Sequence, residues 1–528
     1  MPARRAPLAA GAAVAATAGA FALYARVARP WVVLGWIGLA PWLALLDATP
    51  SWRGTVLAGL AMCGAFVLAV FWWFVVGMQA YTGAPLAVVM LALLVVSPLI
   101  LQPQLLPFAL ARRTARRRGA GFWRTTIAGA GIYVGTEWAC PKLFADTLGH
   151  GLHASAWMRQ AADLAGAPGL TFVLVIANEC VLRVVQALRR NEARTARGPA
   201  AAVAALVVAL LGYGAWRERA LALAIAPPVT AAVVQADIAR YGQLAADLGT
   251  YEATRRILDA HFALSTDALA PGGVDVLVWP ETVYPTTFGS PKTADGAALD
   301  REIAGFVANA HVPLIFGSYD VEDDDEFNAA VFLEPPRGGP LAFDTYRKAS
   351  LFPLTERVPA WLEWGVVRRW LPWLGTWKPG RGAQVLPLHL ADGRTLQVNP
   401  LICYDAVDPR LALAGARRGA EVIVTLSNDS WFPAGAHLHL VVAAFRSIET
   451  RRPQIRATNT GISAVIDPTG EFVATADVDQ RTTLRAAIAP VRGASTVMLA
   501  WGDWVGPVAL MLGLMLLGLP VRVGPRWL

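Results

Sequence analysis

Apolar runs crowd the first 216 residues, at 7–25, 31–48, 54–77, 84–110, 121–140, 167–188 and 199–216, and an eighth follows at 497–522. A helix needs about 20 apolar residues to cross ~30 Å of hydrocarbon. Backbone facing lipid has almost no other way to satisfy its hydrogen bonds. The runs therefore predict a polytopic α-helical membrane bundle of about eight spans. Composition agrees: 55% of the 528 residues are hydrophobic and only 16% are charged, where a soluble domain carries about 25%. The net charge of +8 sits largely in arginine clusters beside apolar runs, so it reads as a topology signal and not as a nucleic-acid surface. The first run could instead be a signal peptide, with Arg4 and Arg5 ahead of an Ala-rich core. Its small residues are spread throughout, however, and the membrane pattern continues directly after it.

Arginines orient the bundle. "ARRTARRRGAGFWR" (111–124) and "RVVQALRRNEARTAR" (183–197) both follow even-numbered runs. The positive-inside rule then puts the N-terminus and the even loops in the cytoplasm; Arg26 and Arg29 run against it. On this reading 1–222 is a membrane domain of about seven helices, 223–495 faces outward, and 496–528 returns the chain through the membrane.

The 223–495 segment has another texture. "VTAAVVQADI" (229–238), "VDVLVWPE" (274–281), "VPLIFGSYD" (312–320), "AAVFLEP" (329–335), "LQVNPLIC" (396–403), "AEVIVTLSND" (420–429) and "ISAVIDPTG" (462–470) read as buried strands, several ending in polar residues. Helical patterns at about 245–269, 295–310, 408–418 and 436–451 lie between some of them. The alternation predicts an α/β layered domain, and such folds place their sites at strand ends.

Three strand ends carry chemistry: Glu281 after "VLVWP", Lys348 in "YRKASLFPLTERVP" and Cys403 in "LICYDAVDP". Alone, each has a plain reading: a solvated glutamate, a surface lysine, a small core cysteine. Together they supply acyl transfer through a thioester. A thiol attacks only as thiolate, Glu can take its proton, and Lys can support the thiolate and then an oxyanion. A helix starting near Asp408 would favour the anion through its N-terminus. Spacing alone does not prove that the three meet. The other cysteines, Cys63, Cys140 and Cys180, lie in or at the end of apolar runs, and no CxxC pair suggests zinc or redox chemistry.

In these residues the chain resembles the nitrilase, or carbon–nitrogen hydrolase, superfamily: "WPET" (279–282), "YRKASLFP" (346–353) and "ICYD" (402–405) occur in order at family-like separations. "SNDSWF" (427–432), "RSIETRRPQIRATNTGISAVIDPTG" (446–470) and the flanking spans point to the apolipoprotein N-acyltransferase branch of bacterial inner membranes. The resemblance implies an αββα nitrilase sandwich. It makes Glu281 the general base, Lys348 the oxyanion stabiliser, Cys403 the nucleophile and Glu356 a second glutamate supporting the lysine. Tyr404, Asp405, Asn428 and Trp431 become substrate-binding or supporting residues. The implied chemistry is ping-pong: a phospholipid acyl chain passes to Cys403 and then to the α-amine of a diacylated apolipoprotein. No metal or cofactor is implied, and a monomer is expected.

The chain also departs from the family. Asp405 stands where the family has Glu, Arg357 follows Glu356 in place of an aromatic, and "AGAHLHL" offers His437 and His439. Two His at i, i+2 of a helix do not share a face, which argues against a metal pair. Pro400 cannot donate to a ladder, which predicts local irregularity before Cys403.

"PAWLEWGVVRRWLPWLGTWKPG" (359–380) carries Trp361, Trp364, Trp370, Trp373 and Trp377 with Arg368, Arg369 and Lys378. This suits a membrane interface that guides acyl chains; a packed core loop is the other reading. "DVEDDDEF" (320–327) lacks calcium-loop spacing and reads as a solvated turn. Glu137 and Asn178 fall in or near spans, where polar groups are costly and often functional; a helix end and an interhelical hydrogen bond are their plain explanations. A membrane-bound amidase or nitrilase hydrolysing a small amide is the alternative enzyme. A non-catalytic lipid binder and a transporter are further readings.

Overall fold

In the strands of the polar segment, side chains alternate between two buried surfaces. Val229, Ala231 and Val233 point into one core, while Ala232 and Val234 point into another. Strands buried on both faces read as continuous apolar runs, without an alternating pattern. The computed structural model describes residues 2–140, 142–222, 226–238, 241–336, 342–358, 363–371, 374–431, 433–491 and 493–520. Among these the chain forms two compact units: 1–219 with 503–528, and 220–502.

The second unit is a sandwich of two sheets. One contains β1 (Val229–Gln235), β2 (Val276–Val278), β3 (Tyr284–Thr287), β4 (Leu314–Glu322), β5 (Asp325–Leu333), β6 (Phe343–Arg347) and β13 (Thr482–Ile488), in the order β13-β1-β2-β4-β5-β6 with β3 beside β4. The other contains β7 (Leu386–His389), β8 (Thr395–Ile402), β9 (Val422–Ser427), β10 (Gln454–Thr458), β11 (Ser463–Ile466) and β12 (Phe472–Ala476), in the order β12-β11-β10-β9-β8-β7. Val278, Ile315 and Phe332 from the first sheet meet Val398, Val424 and Ile455 from the second in the central core. Helices Thr250–Leu269 and Ala294–Ala310 cover the outer face of the first sheet. Helices Pro409–Arg417 and Ala436–Thr450 cover the second. The layers are αββα, as expected.

β1, β2 and β4 run parallel, as do β8, β9 and β10. β6 is antiparallel to β5, itself antiparallel to β4, so β6 ends where β2 ends. Glu281 and Lys348 therefore leave one sheet at the same end. The acidic 320–327 stretch is a hairpin, turning at Asp323 (φ 55°) between β4 and β5.

Pro400 causes no irregularity. β8 pairs with β9 from Val398 to Ile402 without a shift of register. Gln397 O faces β9, so the nitrogen of Pro400 points to the other side, beyond the Leu386↔Val398 end of β7. No N–H is needed there.

Seven of the eight apolar runs fall largely on helices of the first unit, and the eighth divides between Val497–Trp501 in the second unit and Val505–Gly518 in the first. Among the described residues, four stretches could cross a bilayer by length and apolarity: Arg29–Ala48, Trp52–Val70, Met158–Arg189 and Ala193–Leu221. Leu86–Leu101 and Leu105–Arg117, bent by 56°, could form a fifth. Leu8–Tyr24 and Val505–Gly518 are shorter apolar helices. Asn178 repairs a break in the Arg29–Ala48 stretch: its Oδ1 accepts from Leu39 N and its Nδ2 donates to Gly35 O, each at 2.8 Å. Glu137 sits in the last turn of Phe122–Ala139, accepting from Thr147 Oγ1 at 2.7 Å and from Lys142 Nζ at 3.2 Å.

That helix meets Val505–Gly518 through glycines. A Cβ on Gly131 would stand 2.6 Å from Ala509 O, one on Gly135 2.5 Å from Leu510 Cα, and one on Gly513 2.8 Å from Ile132 N. Small residues permit such backbone contact between apolar helices.

Candidate active site

Glu281 stands three residues past β2, at the end of a buried Trp279-Pro280 step anchored by a 2.8 Å bond from Trp279 Nε1 to Ser265 Oγ. The step lies directly against β4. A Cβ on Gly317 would fall 2.3 Å from Thr282 N and 2.6 Å from Glu281 Cα, so only glycine lets the segment approach this closely. Gly317 N donates to Pro280 O at 3.0 Å.

Lys348 follows β6 and is 1% exposed. A lysine so buried stays charged only with partners. Its Nζ lies 2.7 Å from Glu356 Oε1 and 3.2 Å from Glu281 Oε1. Glu356 Oε2 accepts from Phe352 N at 2.7 Å, fixing the carboxylate within its own loop. Glu281 Oε1 also accepts from Asn328 Nδ2, at 2.7 Å. Asn328, on β5, was not among the residues expected at the site; one polar residue in "FNAAVFL" was its only signal. Burial pushes the Lys348 ammonium down, but Glu281, Glu356 and the Cys403 sulfur outweigh it, and it titrates well above an ordinary lysine. Burial raises the Glu281 carboxyl, Lys348 opposes this, and Glu356 adds to it.

Cys403 is the first residue past β8 and takes φ 48°, a left-handed conformation costly for a residue with a Cβ. It opens a 3-10 turn, Cys403–Val407. The residue as a whole is partly exposed. Burial, then the charge of Glu281, pushes its pKa up, and Lys348 pulls it down. The resting cysteine is therefore a thiol that must pass its proton to a base at the moment of attack. The expected helix begins at Pro409, after this turn. Helix Pro409–Arg417 is capped by Asp408, whose carboxylate accepts from Arg410 N at 2.9 Å.

Asp405 is fully buried. It accepts from Ala349 N (3.1 Å), Ser350 N (2.6 Å), Ile402 N (3.0 Å) and Tyr346 Oη (2.9 Å). The carboxylate thus ties the lysine loop to the cysteine turn. Burial raises its pKa to about 6, against the pull of the donors from Ser350 and Ile402.

Tyr404 packs edge-on to Phe352, with ring centroids 5.1 Å apart. Asn428 Oδ1 accepts from Ser430 N at 3.3 Å, inside its own turn. The side chain of Trp431 lies outside the described atoms, as do Trp361 and Trp373. In the tryptophan-rich stretch, Trp364 (67% exposed) and Trp370 (81%) bound the short helix Gly365–Trp370. Trp377 instead packs on Tyr319 at 4.7 Å, and its N donates to Glu356 O at 3.0 Å. Arg357 is exposed; its carbonyl accepts from Leu354 N.

A buried cluster centres on Asp429, whose charge is felt by Cys403 and which adjoins the expected Asn428. Asp429 accepts from Arg456 Nη2 (2.9 Å) and Ser427 Oγ (2.7 Å), with His439 Nδ1 at 3.0 Å. Burial alone would raise the carboxyl, but Arg456 and His439 hold it well below the usual range.

The carbon–nitrogen hydrolase family model matches residues 230–496. The chain belongs to that family. Residues 18–180 match the apolipoprotein N-acyltransferase N-terminal domain, which places the chain in the membrane-bound branch. The apolipoprotein N-acyltransferase of Bdellovibrio bacteriovorus is 28% identical over 509 residues, covering 90% of this chain and 89% of the relative. That of Chlorobaculum tepidum is 27% identical over 515 residues, covering 90% of each. That of Caulobacter vibrioides is 30% identical over 378 residues, covering 67% of this chain and 66% of the relative. A nitrilase-superfamily crystal structure from Saccharomyces cerevisiae aligns with TM-score 0.37 and 16% identity, covering 50% of this chain and 90% of that one.

Proposed function

We propose that the chain transfers a fatty acyl group from a membrane phospholipid to the N-terminal amine of diacylglyceryl-cysteine in lipoproteins, through a thioester on Cys403. The observation that carries this reading is Lys348 held between Glu281 and Glu356 at the cysteine turn, in a chain that devotes its other unit to apolar helices. Relatives aligned over about 90% of the chain bear the name of that activity.

Glu281 takes the thiol proton as Cys403 Sγ attacks the ester carbonyl. Lys348 Nζ donates to the developing oxyanion. The intermediate collapses, the C–O bond breaks, and Glu281 returns the proton to the departing lysophospholipid alkoxide. The acceptor amine then attacks the thioester and gives a proton to Glu281. The C–S bond breaks, and that proton returns to the sulfur. Glu356 keeps the ammonium in place throughout. The N-terminus and even loops are cytoplasmic, the 223–495 domain faces the periplasm, and Trp364 and Trp370 meet the bilayer surface where acyl chains enter.

The test uses phosphatidylethanolamine vesicles with a labelled acyl chain. Label bound to Cys403, removable by hydroxylamine and transferred to a diacylated lipopeptide, is the expected result. Release only as free fatty acid would make the enzyme a hydrolase. Absence of label from the wild type, or equal label on Cys403→Ala, would end the thioester mechanism.

A further inference from the structure

After β1 the chain turns through Ala236, Asp237 and Ile238. Because β1 and β2 are parallel neighbours, this turn lies at the same end of the sandwich as Glu281. Asn459, just past β10, fastens it: its Oδ1 accepts from Ile238 N at 3.1 Å, and its Nδ2 donates to Ile238 O at 2.5 Å. β10, β9 and β8 are successive parallel neighbours. Asn459 is thus two strands, about 10 Å, from Cys403.

A cleft of about 610 Å³ opens beside the turn, against helices Tyr241–Leu248 and Thr250–Leu269. Ile238 and Leu244 give it apolar surface; Asp237, Arg256, Asp259 and Arg481 give it charge. Asp259 is already held by Arg255 at 2.6 Å. Arg256 and Arg481 are exposed and have no hydrogen-bond or ion-pair partner among the described residues. Asp237 takes φ 54°, with its carboxyl raised by burial and by Asp479. The acyl-transfer steps use none of these groups.

We propose that this cleft is the subsite for the polypeptide of the acyl acceptor, binding the residues that follow the reacting amine in extended form. The inference rests on the reading of the site as an N-acyltransferase. An acceptor amine at the thioester drags a chain behind it, and that chain must leave the site by some route. Three extended residues span roughly 10 Å, the distance from Cys403 to Asn459, which fastens the turn beside the cleft. Guanidinium groups without partners suit peptide carbonyls, a carboxylate without one suits peptide N–H groups, and the apolar surface suits alternate side chains. Such recognition is tolerant of sequence. A lipid fits less well: the charged rim is solvated, and the exposed indoles belong to the loop after Glu356.

The experiment compares wild type with Arg256→Glu/Arg481→Glu, and with the milder Gln pair, on two diacylated lipopeptides of two and eight residues. Labelled phosphatidylethanolamine vesicles serve as donor. The expected result is a rise of about tenfold in KM for the eight-residue acceptor, smaller for the Gln pair. KM for the two-residue acceptor and the rate of Cys403 labelling stay within twofold of wild type, which also shows that the variants fold. Equal loss on both acceptors, no loss on either, or slowed labelling would overturn the proposal. Failure of wild type to label or to transfer would overturn the N-acyltransferase reading instead.

Discussion

Asp405 shows how one side chain can look catalytic in the sequence and act as a fastener in the fold. It lies two residues from the nucleophile, yet four donors occupy it, from β6 and the lysine loop after it and from the last residue of β8. Asn offers one acceptor where Asp offers two, so Asp405→Asn should loosen the lysine loop from the cysteine turn and slow thioester formation. The raised carboxyl adds a pH signature. The folded chain holds this proton up to about pH 6, whereas an unfolded aspartate loses it near pH 4. The contribution favours folding below about pH 4 and is lost as pH rises through about 6. The thermal-inactivation gap between wild type and Asp405→Asn should therefore narrow from pH 4 to pH 7; a widening gap would refute it. Glu281→Gln cannot accept the thiol proton and should slow labelling of Cys403 by roughly 10²- to 10⁴-fold, read by quenched-flow labelling. Gly317→Ala should push the Glu281 segment off β4, at about 1–3 kcal/mol, with slowed labelling and an intact fold by circular dichroism. Glu281, Lys348, Glu356 and Cys403 were legible because each sits in a short string whose neighbours carry the family pattern. Asn328, Asp429 and Arg456 were not. Their roles exist only where β5, β9 and β10 stand beside other strands, and nothing adjacent in sequence marks the pairing.

At the scale of elements, the long buried strands were readable from their apolar runs and the helices from their period. β3, β6, β7, β10, β12 and β13 were missed: β6, β7, β12 and β13 lie at sheet edges with polar residues such as Asp344, His389, Thr475 and Arg485, β3 has only four residues, and the buried central β10 alternates Gln454, Arg456 and Thr458 with its two apolar residues. β6 matters most among them, since Lys348 is its immediate continuation. The tryptophan-rich stretch, read as one thing in sequence, divides in the fold. Trp377 is part of the wall behind Glu356, whereas Trp364 and Trp370 are bare. Trp364→Ser/Trp370→Ser should lower Cys403 labelling from phospholipid vesicles at least fivefold. A water-soluble thioester donor should still label it at the wild-type rate. Trp377→Ser should impair both donors alike, because it disturbs the loop that carries Glu356. Equal behaviour of the two variants would refute the division.

Across the whole molecule, the membrane unit carries its own ionic knot. Arg112 binds Glu179 through two nitrogens, at 2.5 and 2.9 Å, and also binds Asp47. Removing one member of a buried pair strands the other, typically at 3–5 kcal/mol. Arg112→Met should sharply lower the temperature at which the detergent-solubilised enzyme loses activity. Arg112→Met/Glu179→Leu should recover much of the loss. The glycine seam between helices Phe122–Ala139 and Val505–Gly518 has a temporal meaning. A ribosome finishes the first helix about 365 residues before it begins the second. Until then Gly131 and Gly135 lack the backbone of Ala509 and Leu510 that meets them in the folded chain. The seam therefore closes only after the second helix is made. Bulky replacements such as Gly135→Leu should leave full-length protein that is made and inserted but is cleared by membrane quality control before it matures. Pulse–chase labelling would show this as normal synthesis followed by rapid decay.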